Sequence, residues 1–381
     1  MGQKSILILI DSLTCGGAEK SLISLLPFLA QRNYNITLMV VRPGGLFERY
    51  VPDNVKLTTF PYRLPAVRRL AFSLALRLRR DRKAHGAEMF WQHAGSYLPA
   101  LKEEYDVAIA YQQGFPTFYI ANKVRARKKL CWINVDMKSA GYSPEFCKPF
   151  YEKYDHIAAV SETLKTEIVL PLYCSDAKRV FTCLDILNEP LIRKMADESV
   201  PFQKNRTWNI VTVGRLVALK GYDMAIGAAK ILKEKGVDFA WHFVGGGSIY
   251  DELQKSIEQN GLQDYVILEG EQLNPYPFIK AADIYVQTSR FEGFGLTIGE
   301  AKILGRPIVS TDFPVVYNQI ADGENGLVVG MTPREIAAGV LRLISDEPLR
   351  KKLMASVAAE HNTTASTESA KVIKLIEEQS V

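Results

Sequence analysis

Short β-rich apolar runs alternate with amphipathic helical segments along this chain, and that alternation limits the folds open to it. The runs fall at Ser5–Ile10, Ile36–Val41, Val107–Tyr111, Leu130–Ile133, Ile157–Val160 and Val180–Cys183. They recur at Trp208–Val213, Phe239–Val244, Val266–Leu268, Ile284–Gln287, Pro307–Ser310 and Gly326–Val329. Helical patterns lie between them, among them Ala18–Gln31, Tyr222–Lys235, Ser248–Asn260, Leu296–Leu304 and Arg334–Ile344. A strand that is apolar throughout, not at every second residue, is buried on both faces, which happens in parallel sheets covered by helices. The pattern therefore predicts an α/β chain of two Rossmann-like doubly wound parallel-sheet domains facing a central cleft, with ligands at the carboxyl ends of the strands.

A length of 381 residues suits two domains of ordinary size. The boundary is expected within Ile186–Asn205, a polar stretch with Pro190 and Pro201 and no strand. That gives domains at 1–187 and 188–365, followed by a helix at Glu368–Glu378. The five cysteines are odd in number, and no pair has C-x-x-C spacing, which argues for reduced thiols in a cytoplasmic setting over a disulfide framework or a metal site. Ile6–Ile10 is too short for a signal-peptide core, and no apolar run approaches a membrane span.

Glycine-rich turns follow several of the strands. Gly16-Gly17 opens the first helix. Gly214-Arg215-Leu216 leads to Lys220-Gly221, placing two cations on one loop at a strand end. Gly245-Gly246-Gly247 follows the next strand, and Glu269-Gly270-Glu271 the one after. The most informative turn is Glu292-Gly293-Phe294-Gly295-Leu296-Thr297-Ile298-Gly299-Glu300. N–H groups at a helix start carry the positive end of the dipole and suit a phosphate, and glycines let the backbone approach it closely. Glu300, read as lying in the first helical turn, can accept hydrogen bonds from a diol, and Glu292 can do so at the other end of the ligand. Arg215 and Lys220 can neutralise a pyrophosphate between them. Hydroxyls, phosphate and hydroxyls in that order describe a nucleotide sugar. Each feature also has a plainer reading: a strand–helix turn at Gly16-Gly17, solvated surface cations, or a carboxylate serving a helix dipole.

The Glu292…Glu300 segment resembles the E-x7-E signature of retaining glycosyltransferases of the GT-B fold, especially glycosyltransferase family 4. The likeness is strong from Val211 to Val329 and looser in the first half. It implies that Glu300 holds the ribose, Glu292 the donor sugar, and Arg215 with Lys220 the diphosphate. It also implies that N–H groups near Phe294, Gly295 and Leu296, with Thr297 beside them, meet sugar hydroxyls and phosphate. The Gly16-Gly17 loop is then near the donor phosphates and the acceptor, Gly245 and Gly246 line the nucleotide pocket, and a terminal helix at about 366–381 packs back on the first domain. Many members carry a histidine near Trp132-Ile133-Asn134-Val135-Asp136, where this chain has Asn134 and Asp136. Asp136 then serves the acceptor or the sugar, or else caps its own loop.

The resemblance implies retention of configuration and transfer of a hexose or N-acetylhexosamine from a nucleotide diphosphate sugar, with UDP favoured. The acceptor would be a glycan or lipid-linked glycan of a cell-surface polysaccharide such as capsule or lipopolysaccharide. No D-x-D cluster lies near the site, so no obligatory metal or cofactor is expected. A sugar-nucleotide epimerase of the same architecture and a non-catalytic sugar-nucleotide-binding subunit are the alternatives. Residues 63–83 are strongly basic, with Arg68, Arg69, Arg77 and Arg80 opposite an apolar arc. That pattern suits an anionic inner-membrane surface or a phosphorylated acceptor, and equally a helix packed on its sheet with a solvated basic face. A further cluster, Lys123, Arg125, Arg127, Lys128 and Lys129, adds positive charge nearby in sequence, or else is an ordinary loop. Nothing resembles a nucleic-acid module.

Overall fold

The computed structural model describes residues 3–14, 16–62, 65, 67, 69, 72–74, 85–198, 206–360 and 364–378. Arg68, Arg77 and Arg80 lie outside these residues, and Arg69 is exposed. The chain forms two compact units. One comprises Met1–Ile186 and Thr364–Val381, the other Leu187–Thr363.

The first unit holds a parallel sheet of seven strands, β1 (Lys4–Ile10), β2 (Tyr34–Val40), β3 (Lys56–Thr59), β4 (Glu104–Ala110), β5 (Arg125–Ile133), β6 (His156–Ala159) and β7 (Val180–Thr182), in the order β3-β2-β1-β4-β5-β6-β7. Its helices are α1 (Gly17–Ala30), α2 (Gly86–Ala94), α3 (Phe115–Lys123) and α4 (Pro144–Tyr151). Ile6 to Ile10 are wholly buried, as a central strand covered on both faces requires. β3 has no counterpart among the apolar runs. It is an edge strand paired only with β2, its residues are mostly exposed, and Lys-Leu-Thr-Thr buries too little to leave an apolar signature.

The second unit holds β8 (Trp208–Val213), β9 (Phe239–Val244), β10 (Val266–Gly270), β11 (Ile284–Gln287), β12 (Ile308–Thr311) and β13 (Leu327–Val329), all parallel, in the order β10-β9-β8-β11-β12-β13. Its helices are α5 (Glu189–Ala196), α6 (Tyr222–Glu234), α7 (Tyr250–Gln259), α8 (Tyr276–Ala281), α9 (Leu296–Ile303), α10 (Pro333–Ser345) and α11 (Glu347–Ala359). Trp241, Phe243, Tyr222 and Phe239 fill the core around the sheet. Both sheets have the doubly wound plan, and each changes winding direction at its first strand, between β1 and β4 in one and between β8 and β11 in the other.

The basic cluster at Lys123–Lys129 is not a loop. From Arg125 onward it is the first half of β5. Lys128 is 4% exposed, and its Nζ donates to the carbonyls of Leu375 (2.7 Å) and Glu378 (2.6 Å) at the end of α12 (Thr364–Glu377). Lys4 donates to the carbonyl of Ile376 at 2.8 Å. Two ammonium groups thus satisfy the unpaired carbonyls and negative dipole end of the terminal helix, which packs on α1 and buries Val372, Ile373 and Ile376. Lys128→Met should lower the unfolding free energy by about 2 kcal/mol and speed amide exchange in the last turn of α12. Unchanged exchange there would show that the cap is unimportant.

Candidate functional site

Two loops at the carboxyl ends of neighbouring strands build the centre of the second unit. One follows β8 and runs through Gly214, Arg215 and the 3-10 turn Ala218–Lys220 to Gly221. The other follows β11 and runs from Thr288 to Gly295. They meet backbone to backbone. Gly221 has φ +67°, and a Cβ there would stand 2.0 Å from the carbonyl oxygen of Thr288, so only glycine fits. Arg290 N–H donates to Leu219 O at 2.8 Å, and the Thr288 hydroxyl donates to Lys220 O at 2.8 Å. The Arg290 guanidinium forks onto Asp223 at 2.8 and 2.6 Å and holds the carboxylate's pKa below its usual range.

This stitching brings Lys220 to Glu292. The ammonium donates to Glu292 Oε1 at 2.6 Å, with both side chains largely buried (21% and 10% exposed). The same oxygen accepts from Gln287 Nε2 at 2.7 Å and from Ser289 Oγ at 2.6 Å. Arg215 lies on the same loop with an exposed side chain that makes no hydrogen bond or ion pair among the described residues. One cation is therefore held by a carboxylate, and the other is presented to solvent.

Gly295 caps α9 with φ +86°, a left-handed conformation that starts the helix directly after the turn. Gln319 clamps this turn by donating to the carbonyls of Gly295 (3.1 Å) and Phe294. Phe294, Leu296 and Thr297 are half-buried. The Thr297 hydroxyl donates to Gln287 Oε1 at 3.0 Å. Glu300 lies beyond the first turn of α9, which contains no acidic residue, and not within it as its spacing suggested. It is wholly buried and accepts from the Tyr276 hydroxyl at 3.1 Å. Gly245 has φ +152° and would set a Cβ 2.0 Å from Gly214 O, so the turn at Gly245-Gly246 packs tightly against the loop carrying Arg215.

In the first unit, Gly16 is the N-cap of α1 and Gly17 its first residue. Glu19 folds back over this helix start. Its Oε2 lies 2.2 Å from where a Gly16 Cβ would be, and its Oε1 accepts from Ser12 Oγ at 3.4 Å. Burial raises the pKa of Glu19. It also pushes Asp11 at the end of β1 up to about 6, with Arg42 opposing the shift and Glu19 adding to it. The Glu19 carboxylate thus lies over the helix start at Gly16-Gly17. Asp136 accepts from the N–H and the hydroxyl of Ser139, so both its oxygens serve their own turn. Asn134 donates its N–H to Gln113 Oε1 at 3.1 Å. Both polar atoms of its side-chain amide are buried with no hydrogen-bond partner among the described residues. Sequence reading passed over Gln287, Ser289, Tyr276 and Glu19. For Gln287 the available signal was an amide ending the otherwise apolar strand Ile284-Tyr285-Val286.

Residues 196–358, most of the second unit, match the family model described as glycosyl transferases group 1. The alpha-D-kanosaminyltransferase of Streptomyces kanamyceticus is 34% identical over 153 residues, 39% of each chain. The lipopolysaccharide core biosynthesis glycosyltransferase LpsE of Rhizobium meliloti is 25% identical over 340 residues, 89% of this chain and 88% of its own. Alignments to the kanosaminyltransferase and to two transferases of poly(ribitol-phosphate) and poly(glycerol-phosphate) span only 39%, 28% and 24% of those proteins. Among solved structures, HepE of Anabaena in complex with UDP and glucose superposes with a TM-score of 0.72 at 16% identity, covering 98% of this chain and 99% of HepE. TarM gives 0.70 at 15% identity, covering 99% of each. The chain thus has the GT-B architecture of two parallel-sheet Rossmann-like domains, and its second unit matches the glycosyl transferases group 1.

Proposed function

We propose that this chain is a retaining glycosyltransferase. It moves a hexose or N-acetylhexosamine from a nucleotide diphosphate sugar, a UDP-sugar foremost, to a glycan or lipid-linked acceptor in cell-surface polysaccharide synthesis. The observation that carries the reading is the Lys220–Glu292 pair at the carboxyl ends of β8 and β11, with the exposed Arg215 on the same loop. The donor's diphosphate takes the Arg215 fork and draws Lys220 from Glu292, and both cations then stabilise the departing nucleoside diphosphate. Glu292 stays in place through Gln287 and Ser289 and accepts from a donor-sugar hydroxyl. Glu300 meets the ribose once donor binding opens its contact with Tyr276. In the first unit, the side-chain amide of Asn134 serves the acceptor, a pairing that offsets the cost of leaving its donor and acceptor unmade. The incoming hydroxyl attacks on the face the diphosphate leaves. The basic composition of residues 63–83 suits an anionic membrane surface that holds the acceptor. HepE is solved with UDP and glucose, and TarM with UDP and alpha-GlcNAc-glycerol, which supports a UDP-sugar donor and a glycan acceptor.

The test is a donor screen of purified protein with UDP- and GDP-sugars, measuring released nucleoside diphosphate with and without lipid-linked glycans. Selective release from one donor, accelerated by an acceptor, is expected. Conversion of the donor to an isomeric nucleotide sugar without release would establish an epimerase instead. Tight donor binding with neither outcome would make the chain a binding subunit.

A further inference from the structure

The geometry points to Gln287 as a positioning residue that decides which oxygen of Glu292 meets the ligand, an inference that rests on the glycosyltransferase reading. Gln287 ends β11 and is 2% exposed, yet all of its amide is used. Oε1 accepts from the Tyr285 hydroxyl at 2.7 Å and from the Thr297 hydroxyl at 3.0 Å. Nε2 donates to Ser289 Oγ at 2.7 Å and to Glu292 Oε1 at 2.7 Å. The amide cannot turn over, because Oε1 would then face an ionised carboxylate oxygen that only accepts. Ser289 accepts from Gln287, and its hydroxyl donates to Glu292 Oε1 at 2.6 Å. Together with Lys220, three donors converge on that single oxygen.

Two consequences follow for the reaction. Oε1 is saturated, so Oε2 is the oxygen left to a sugar hydroxyl. When Lys220 leaves for the diphosphate, Gln287 and Ser289 still hold Oε1, so the carboxylate does not follow the lysine out of place. A site that must exchange an ion pair for a ligand needs such a second hold, and the reach through Thr297 ties it to the first turn of α9. Gln287 touches no reacting atom and acts through Glu292.

The experiment is a double-mutant cycle between Gln287 and Glu292 in the full-length protein, using the donor and acceptor identified by the screen. Gln287→Leu should lower kcat about 10- to 100-fold with KM for the donor changed by less than about threefold. Tyr285→Phe keeps the ring and removes one of the two hydroxyls orienting the amide, so its loss should be smaller, about threefold. In a Glu292→Gln background both losses should shrink to less than about twofold, since no carboxylate is left to orient. Losses that multiply in that background would make Gln287 merely structural and overturn the inference, as would full kcat in both single variants. Where Gln287→Leu fails to fold, Tyr285→Phe decides. A wild-type protein that turns over beside indifferent variants removes this inference alone, whereas one that releases nucleotide from no donor removes the functional reading and the inference with it.

Discussion

Glu292→Ala is expected to lower turnover by about 10²- to 10³-fold while nucleoside diphosphate affinity rises. The two effects have opposite signs because Glu292 has two partners in competition. Its Oε1 holds Lys220 at 2.6 Å, and a diphosphate must compete for that ammonium. Removing the carboxylate frees the lysine for phosphate and strengthens binding several-fold. The same removal takes away the acceptor that positions the donor sugar, so chemistry slows. Gln287 Nε2 and Ser289 Oγ lose a partner as well, which should cost about 1–3 kcal/mol of folding stability. Calorimetric UDP titration beside single-turnover kinetics separates these effects. A loss of UDP affinity in parallel with turnover would mean that Glu292 supports the fold of the loop and not the sugar.

Asp185→Asn should stabilise the protein at pH 8 by on the order of 4 kcal/mol and leave it nearly unchanged at pH 4. Asp185 is 8% exposed in the last stretch of the first unit before Ile186, near Ser21, Tyr111 and Cys183. Its Oδ1 has no hydrogen-bond partner among the described residues, and burial pushes its pKa from 3.8 up to about 7. The unfolded chain binds its proton only below the ordinary carboxylate value, whereas the folded chain keeps it almost to neutrality. Stability from this group is therefore complete below about pH 4 and is lost as pH rises through about 7. Asp11, raised to about 6 by burial, adds a slope of the same sign over a similar window. Asparagine copies the protonated form and cannot ionise, so the difference between variant and parent should grow from about pH 4 and level off above about pH 7. Urea midpoints at three pH values measure it, and parallel curves would show that Asp185 is ionised or solvated in the folded state.

The parallel-sheet architecture was legible in the residues because burial on both faces writes itself locally, as apolar runs that are unbroken at Ile6–Ile10 and interrupted only by Asn209 and Thr212 at Trp208–Val213. So was the turn at Glu292–Glu300, where glycines, carboxylates and a helix start sit within one short segment. Tertiary structure alone decided what those carboxylates touch. Lys220 and Glu292 are 72 positions apart and meet because β8 and β11 are sheet neighbours while β9 and β10 turn outward on the other side. Lys128 caps a helix 247 positions on, which no local pattern encodes, and β3 carries no apolar run because an edge strand buries little. Local sequence determines whether a segment is buried and how its backbone turns, since those depend on its own side chains. Which charge meets which, and which amide ends up holding a carboxylate in place, depends on strand order, and strand order exists only once the sheet has formed.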